Sequence, residues 1–382
     1  MITPPKLSLY IHFPWCVQKC PYCDFNSHQL KTDLDEATYV DALLADLEQD
    51  LPLIWGRTIN TIFMGGGTPS LFSARSMQRL LSGIRSLLSI RPDAEITMEV
   101  NPGSQEFDDL SAYRQAGINR LSFGVQSLDN DKLKVLGRIH NADQAIKAIA
   151  KAQQAGFDNF NTDLMFALPN QSLADAKDDL DALLDLSPPH VSYYQLTLEA
   201  NTLFAVKPPT GMPDEGLQHD MYFQGQDILA EAGYQQYEVS AYAGDDNPAE
   251  HNLNYWRFGD YLGIGAGAHS KITQGHSGEI IRLVKQKHPQ MYLNKVRESQ
   301  RIIEQKTLSK DDLLFEFLLN QVRLKEPISL KRFNQRTGLP SQKLVQFFTE
   351  SVAETDYQLS DDAITLSQSG FLNSDSILQQ LL

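Results

Sequence analysis

Residues 7–25 read LSLYIHFPWCVQKCPYCDF, and this stretch decides both the fold and the chemistry. Residues 7–13 alternate between apolar and polar side chains, which is typical of a β-strand with one face in a core. Three cysteines follow with the spacing Cys-x3-Cys-x2-Cys, at Cys16, Cys20 and Cys23, and the 382-residue chain has no others. An odd number of thiols in one short loop does not make a disulfide framework. The loop therefore predicts a metal site.

The spacing of these thiols favours an iron–sulfur cluster. Thiolates are the ligands of such clusters, and a four-iron cubane normally takes four of them. Three thiolates leave one iron open, and an open position allows a metal centre to bind and activate a small molecule. A structural zinc site is the alternative, and it requires a fourth ligand, for which His12 and His28 are near enough in sequence.

Beyond the cysteines the sequence alternates strand-like and helix-like segments as far as about residue 270. The predicted strands are residues 7–13, 59–65, 95–101, 119–126, 158–166, 190–198 and 236–242. The predicted helices are residues 36–51, 73–90, 105–116, 142–155, 172–186 and 216–232. This repeated order predicts an α/β fold of parallel strands joined by right-handed crossovers. We expect a partial or full (β/α) barrel, with its chemistry at the carboxyl ends of the strands.

Four of the predicted strands carry polar side chains on the face opposite their apolar one. Those polar faces consist of Ser8, Tyr10 and His12; Thr97, Glu99 and Asn101; Ser122, Gly124 and Gln126; and Asn159, Asn161 and Asp163. The interior of a packed barrel is filled by bulky apolar side chains. These polar faces therefore predict an interior that holds a polar ligand.

Composition and charge exclude several classes of protein. The net charge of −15 works against binding to nucleic acid or to an anionic membrane surface. No stretch approaches the roughly 20 apolar residues of a membrane span. The first residues, MITPPKLSLYIHF, lack the charged and then apolar layout of a signal peptide, so we expect a cytoplasmic protein.

The last third of the chain differs from the rest. Residues 271–306 are charged and mixed and predict a connector between a barrel over residues 1–270 and a second domain over residues 307–382. The second domain is expected to be small, helical and winged-helix-like, with helices at 309–323, 328–337 and 341–350 and a hairpin at 357–367. Acidic residues such as Asp311 and Asp312 weigh against nucleic acid and favour a structural or partner-docking lid.

The cysteine motif after the first barrel strand resembles that of the radical S-adenosylmethionine (SAM) superfamily. The resemblance implies that the amino and carboxylate groups of SAM chelate the open iron, and that an electron from the cluster cleaves SAM to a 5′-deoxyadenosyl radical. Tyr22 lies where the superfamily stacks the adenine. The sequence GGGTPS at residues 65–70 is consistent with a tight turn, and in the superfamily such a turn holds the amino group of the methionine part of SAM.

Further segments resemble the oxygen-independent coproporphyrinogen III oxidase family. They are YIHFPWC, CPYCDF, MGGGTPS, EVNPGS, LSFGVQS, LGRIH and NTDLMFALPNQS, and the likeness covers about residues 7–270, with the C-terminal module as that family's second domain. The resemblance assigns the cluster to Cys16, Cys20 and Cys23. It assigns SAM contacts to Tyr10, Tyr22, Gly66, Gly67, Thr68, Glu99, Gln126, Arg138 and Asp163.

Two departures from that family favour its haem chaperone subgroup. The oxidases carry a further cysteine two residues after the third, where this chain has Phe25. They also have an N-terminal extension, whereas this sequence begins six residues before the first strand. The chaperones bear the motif HNxxYW, and residues 251–256 read HNLNYW. The resemblance thus implies a haem chaperone without coproporphyrinogen oxidase activity, and the oxidase remains the alternative.

Haem is the expected cargo, and HNLNYW is its predicted contact. A neutral imidazole from His251 suits an axial iron position, and Tyr255 and Trp256 offer flat apolar area for a porphyrin. A capped turn with an aromatic anchor is the other interpretation, and His269 competes as ligand. The implied partners are haem, acceptor haem proteins and an electron donor, but not nucleic acid. A homodimer and a peripheral membrane encounter through acceptors stay open.

Overall fold

The structure is a computed structural model that describes residues 2–103, 109–244 and 247–382. The strands are β1 Leu7–Phe13, β2 Trp15–Cys16, β3 His28–Gln29, β4 Ile59–Gly66, β5 Ile90–Val100, β6 Arg120–Gln126, β7 Phe160–Phe166, β8 His190–Gln195, β9 Gln235–Glu238, β10 Ala241–Ala243, β11 Asp260–Ile264, β12 His269–Thr273, β13 Ile280–Lys285, β14 Ile302–Thr307, β15 Ile328–Ser329, β16 Tyr357–Leu359 and β17 Ala363–Leu366. The helices are α1 Glu36–Asp50, α2 Ala74–Leu87, α3 Leu110–Ala116, α4 Asn130–Val135, α5 Ala142–Gln154, α6 Leu173–Leu184, α7 Leu203–Val206, α8 Glu215–Glu231, α9 Glu250–Trp256, α10 Pro289–Lys295, α11 Lys310–Gln321, α12 Leu330–Thr337, α13 Ser341–Ser351, α14 Gln368–Leu372 and α15 Ser374–Gln379.

The large sheet of the described residues has the strand order β14-β13-β12-β11-β1-β4-β5-β6-β7-β8-β10-β9. Neighbours are parallel from β11 through β1 to β8. The strands that follow at each end, β12 to β14 and β10 with β9, pair antiparallel. The order is linear, with different strands at its two edges, so the predicted α/β fold is confirmed in its partial-barrel form.

The elements form where the periodicities of the sequence place them. In β1 the apolar side chains of the alternating set are fully buried under the helices: Leu7, Leu9, Ile11 and Phe13. Helix α1 begins after Asp35, whose carboxylate accepts a hydrogen bond from Thr38 N and so caps the first turn. The described part of the helix predicted at 105–116 begins at Leu110, and residues 104–108 lie outside the described residues.

The structure corrects the predicted connector at 271–306. This segment contains most of β12, together with β13, α10 and β14, and it extends the sheet beyond β11. The charges that suggested a solvated linker are in part buried. Lys285 and Arg301 form ion pairs with Asp46 and Asp50 of α1 inside the protein. A charged side chain is buried when partners compensate it, and the sequence pattern does not show the partners.

The C-terminal domain has a core of its own that continues into the barrel. Its helices α11, α12 and α13 and the hairpin of β16 and β17 agree with the predicted winged-helix layout, and β15 adds a third strand. Phe258, at the end of the barrel, packs in this second core. The Arg257–Glu326 and Arg323–Glu238 ion pairs, at 2.6 Å and 2.9 Å, join the two parts. Among the described residues, no helix is long and apolar enough to cross a membrane.

Candidate cluster and cofactor site

The three cysteines lie on a loop that is fastened to the barrel on both sides. Cys16 belongs to the short pair of β2 and β3, and the backbone turns between Cys20 and Cys23. After the third cysteine, the Asn26 amide donates hydrogen bonds of 2.9 Å to the carbonyl oxygens of Ala266 and Lys287. All three cysteines line a cavity of about 540 Å³, which lies between the strands and extends from their carboxyl ends to Arg120 and His190 at the start of β6 and β8. The loop thus places its thiols where the barrel geometry predicts chemistry.

The environment of the thiols suits a cationic metal centre. Burial raises the pKa of Cys16 to about 11 and also raises the pKa of Cys23. These thiols therefore hold their protons at neutral pH unless positive charge is added, and ligation by metal supplies that charge. One cation is already present, because Arg138 Nη1 donates to Cys20 Sγ at 3.6 Å.

One of the two candidates for the fourth ligand of a zinc site, His12, is already engaged in hydrogen bonds. In the described parts of the chain, no three His, Cys, Asp or Glu side chains are grouped closely enough to share one metal ion. In a cubane each thiolate binds a different iron, so its sulfurs do not converge on one point. His12, a candidate zinc ligand, is engaged at both ring nitrogens, by the Tyr10 hydroxyl at 3.0 Å and by the Asn26 carbonyl at 2.9 Å. The loop fits a [4Fe-4S] cluster.

The glycine turn at 65–70 is packed directly against the cysteine loop. Gly67 N donates to Phe13 O at 2.6 Å, and Thr68 N donates to Trp15 O at 2.7 Å. Gly66 adopts φ +107, and a Cβ atom there would lie 2.3 Å from the His12 ring. A Cβ atom on Gly67 would lie 2.5 Å from Trp15 O. Glycine is therefore required at both positions, and the turn borders the same cavity as the cysteines.

Most of the residues predicted to contact SAM surround this cavity, although they come from distant parts of the sequence. The cavity is lined by Tyr22, Gly66, Gly67, Thr68, Glu99, Gln126, Arg138 and Asp163. Tyr10 is not among these lining residues, and its hydroxyl lies 3.0 Å from His12 Nδ1. Its ring stacks on Phe63, which does line the cavity, and the contact of Tyr10 with SAM stays a prediction.

Two buried carboxylates give the cavity its electrostatic character. Burial, with a smaller contribution from Asp163, raises the pKa of Glu99 to about 8, and a hydrogen bond from Gly66 N opposes the shift. Burial also raises the pKa of Asp163, against hydrogen bonds from Asn161 and Ser192. A bound cation would favour the ionised form of both carboxylates. SAM carries such a cation, its sulfonium. It also has ribose hydroxyls, which can donate hydrogen bonds to a carboxylate.

The affinity for SAM should therefore increase with pH. If the ionised form of Glu99 binds SAM, a pKa of about 8 gives about tenfold tighter binding at pH 9 than at pH 7. Anaerobic calorimetric titration at pH 7, 8 and 9 measures this slope. Glu99→Gln should reduce the slope, because the amide does not titrate, and Asp163 then remains as the cavity carboxylate with a raised pKa. A wild-type affinity that is the same at all three pH values would contradict the role of Glu99.

Several cavity residues were missed, although the sequence contains a signal for them. Arg120, His190, Ser192 and Tyr194 line the same space. Tyr194 donates a 2.6 Å hydrogen bond to Gln126 Oε1, and the buried Arg120 Nη2 has no hydrogen-bond partner among the residues that the structure describes. The alternation that identified Glu99 also runs through RLSFGVQ and HVSYYQ, so extending it to the strand ends predicts these four residues.

HNLNYW forms helix α9, which closes the amino-terminal end of the barrel. His251 is 1% exposed, and its ring nitrogens lie 2.8 Å from Thr61 Oγ1 and 2.9 Å from the Tyr255 hydroxyl. Glu95 accepts hydrogen bonds from the backbone N–H groups of Glu250 and His251. This geometry agrees with the packed aromatic anchor. Iron ligation by His251 would require one of its two side-chain hydrogen bonds to break.

The remaining candidates lie at the surface. His269, the competing haem ligand, is exposed at the start of β12 and does not line the cavity. Phe25, which stands where the resembling oxidases carry a further cysteine, is 57% exposed at the mouth of the cavity. The side chain beside the cluster loop is thus apolar, and it provides no fourth thiolate.

Comparison with known proteins agrees with this site. The radical SAM superfamily model matches residues 10–183, and the HemN C-terminal domain model matches residues 308–372. The radical SAM domain implies a [4Fe-4S] cluster and SAM. Among solved structures, coproporphyrinogen III oxidase (HemN) from Escherichia coli matches with a TM-score of 0.83 at 23% identity, over 99% of this chain and 90% of that one. At this identity the likeness shows the fold alone.

Relatives of higher identity cover all or most of the chain. "Heme chaperone HemW" of Escherichia coli is 48% identical over 100% of both chains. The protein of the same name from Haemophilus influenzae is 48% identical over 99% of this chain and 98% of its own. The mitochondrial "Radical S-adenosyl methionine domain-containing protein 1" of Bos taurus is 39% identical over 72% of this chain and 62% of its own. This chain belongs to the HemW family of radical SAM proteins.

Proposed function

We propose that this chain is a haem chaperone, which binds haem and transfers it to acceptor haem proteins with the support of a SAM-bound [4Fe-4S] cluster. The observation that carries the proposal is the 48% identity, over the full length, to relatives named heme chaperone. Phe25, in place of a further cysteine, supports it. Among the comparisons, coproporphyrinogen III oxidase is similar at 23% identity, and a likeness at that identity shows the fold alone.

Different residues of the cavity would hold the cluster and the separate parts of SAM. Cys16, Cys20 and Cys23 would hold three irons and leave the fourth to SAM. The backbone of the glycine turn, from Gly66 to Thr68, would bind the amino-acid end of SAM. In the bound state the cluster would supply an electron for SAM cleavage. The side chains then have the task of orienting SAM and excluding water.

Polar and aromatic side chains complete the proposed SAM site. Glu99 would accept hydrogen bonds from the ribose hydroxyls, and Tyr22 would stack on the adenine. Arg138 would bind the carboxylate of SAM while it stays close to Cys20, since its guanidinium has several donors. Gln126 and Asp163 border the remaining polar edge of the cavity.

The same proposal includes partners and location. A redox protein would reduce the cluster, and the acceptors would be haem proteins such as respiratory components. We place the chain in the cytoplasm, where a membrane-bound acceptor would be reached by a peripheral encounter, and a homodimer would be compatible with this task. Nucleic acid is not a proposed partner, because the net charge is −15.

Haem binding and porphyrin oxidation can be measured on the same sample. The cluster is reconstituted without oxygen, haem is titrated, and coproporphyrinogen decarboxylation is assayed with SAM and a reductant. We expect stoichiometric haem binding and no protoporphyrinogen. Turnover to protoporphyrinogen would establish the oxidase instead. Failure of the reconstituted chain to bind haem would reject the chaperone.

A further inference from the structure

A groove separates the barrel from the C-terminal domain, next to helices α8 and α14. One section, of about 650 Å³, is lined by His219, Tyr222 and Phe223 of α8 and by Leu372 of α14. The adjoining section, of about 410 Å³, shares Leu372 and adds Lys325 among its lining residues. We propose that this groove binds haem, with His219 as an axial ligand of the iron. This inference rests on the proposed function and assigns a place to the cargo.

His219 has the accessibility that an iron ligand requires. Its side chain is 69% exposed, and the nearest carboxylate oxygen, on Asp220, lies 3.8 Å from Nδ1. By contrast, His190 and His251 are buried with both ring nitrogens in hydrogen bonds. Neutral imidazole is a common haem ligand. Haem that is passed on to an acceptor needs an iron ligand at the surface, because such a ligand can release the haem without unfolding of the barrel.

The walls of the groove are suited to a flat apolar ring system. The His219 and Phe223 rings lie 4.5 Å apart, and Tyr222 lies next to them. Leu372 is 44% exposed, and its side chain borders both sections of the groove. Small-molecule sites are concave spaces of about 300–1,000 Å³ with aromatic and apolar linings. A porphyrin would cover these exposed apolar surfaces.

The far section provides a cation for the haem propionates. Lys325 Nζ lies 5.4 Å from the centre of the Phe371 ring, and among the described residues it has no carboxylate within ion-pair distance. Glu326, beside it, is already paired with Arg257 and Arg332. Burial lowers the pKa of Lys325, and an anionic propionate would oppose that shift.

The groove adjoins the cluster cavity. Gln195, at the end of β8, lines both spaces, and its amide donates a 2.9 Å hydrogen bond to Gln218 on the groove side. Haem in the groove would therefore lie one residue away from the SAM space. The C-terminal domain would thus contribute to haem binding, since α14 forms the second wall of the haem site.

The test is a titration of the cluster-reconstituted full-length chain with ferric haem. His219→Ala should shift the Soret band and weaken binding by at least about tenfold, the loss typical of a disturbed metal site. The matched control is His276→Ala, which removes an exposed histidine from the turn between β12 and β13. The control should bind haem as the wild type does. An unchanged Soret band and affinity in His219→Ala would overturn the assignment.

A second variant tests the groove while the proposed iron ligand, His219, stays in place. Leu372→Glu places a charge on the shared wall, and it should weaken haem binding while the iron and sulfide content of the chain stays constant. If Leu372→Glu binds haem normally, the groove is not the site. If the wild type itself binds no haem, the proposed function fails, which is a different outcome from failure of the variants alone.

Discussion

Cys20→Ser should abolish the iron–sulfur cluster. The substitution leaves two thiolates in the loop for an assembly that requires three, and a serine hydroxyl is a poor substitute for a thiolate. It also removes the sulfur atom to which Arg138 donates at 3.6 Å. After anaerobic reconstitution we expect the iron and acid-labile sulfide per chain to fall by at least about tenfold. SAM binding should fall with them, because the open iron is lost.

Asp24→Ala is the matched control for this experiment. Asp24 is exposed on the same loop and follows the third cysteine, so the variant changes a neighbouring side chain without changing a ligand. It should retain the full cluster. If Cys20→Ser also retained full iron and sulfide, the three-cysteine assignment would be wrong. One zinc per chain without sulfide in the wild type would restore the zinc alternative.

The parts of the fold that follow a strict period were predictable from the sequence. The predicted strand at 7–13 coincides with Leu7–Phe13, and the predicted helix at 142–155 differs by one residue from Ala142–Gln154. Strand parity also placed Glu99, Gln126 and Asp163 on the inner face, where they border one cavity. Because parity is a property of each strand by itself, the face on which a side chain lies can be predicted without knowledge of the tertiary contacts.

Contacts between distant segments were not predictable. His251 was interpreted as a haem ligand from its motif, yet Thr61 and Tyr255 occupy its nitrogens. A motif shows which side chains are present. It does not show which neighbours have already used their hydrogen-bonding capacity.

The buried ion pairs were not predictable either, because they also join distant segments. Among these contacts they have the largest effect on the free energy of unfolding. Lys285 is 0% exposed, and its ammonium group contacts Asp46 and Asp50 of α1. Arg301 contacts the same two carboxylates, so two cations balance two anions. Tyr292 donates a 2.9 Å hydrogen bond to the Asp46 carboxylate as well. This network fastens β13 and the residue just before β14 to the helix that follows the cysteine loop.

Lys285→Met should destabilise the chain by about 3–5 kcal/mol, because it leaves two buried carboxylates with Arg301 as their shared cation and one negative charge uncompensated. The shift of the urea unfolding midpoint measures the loss. Lys177→Met is the matched control, since its partner Asp181 lies on the same exposed helix surface, and it should cost less than about 1 kcal/mol. The double variant Lys285→Met/Asp50→Asn removes one charge of each sign. It should be less destabilised than the sum of the two single variants, with a coupling of about 0.5–3 kcal/mol. Strictly additive losses would show that the charges do not depend on each other, and would reduce this network to ordinary packing.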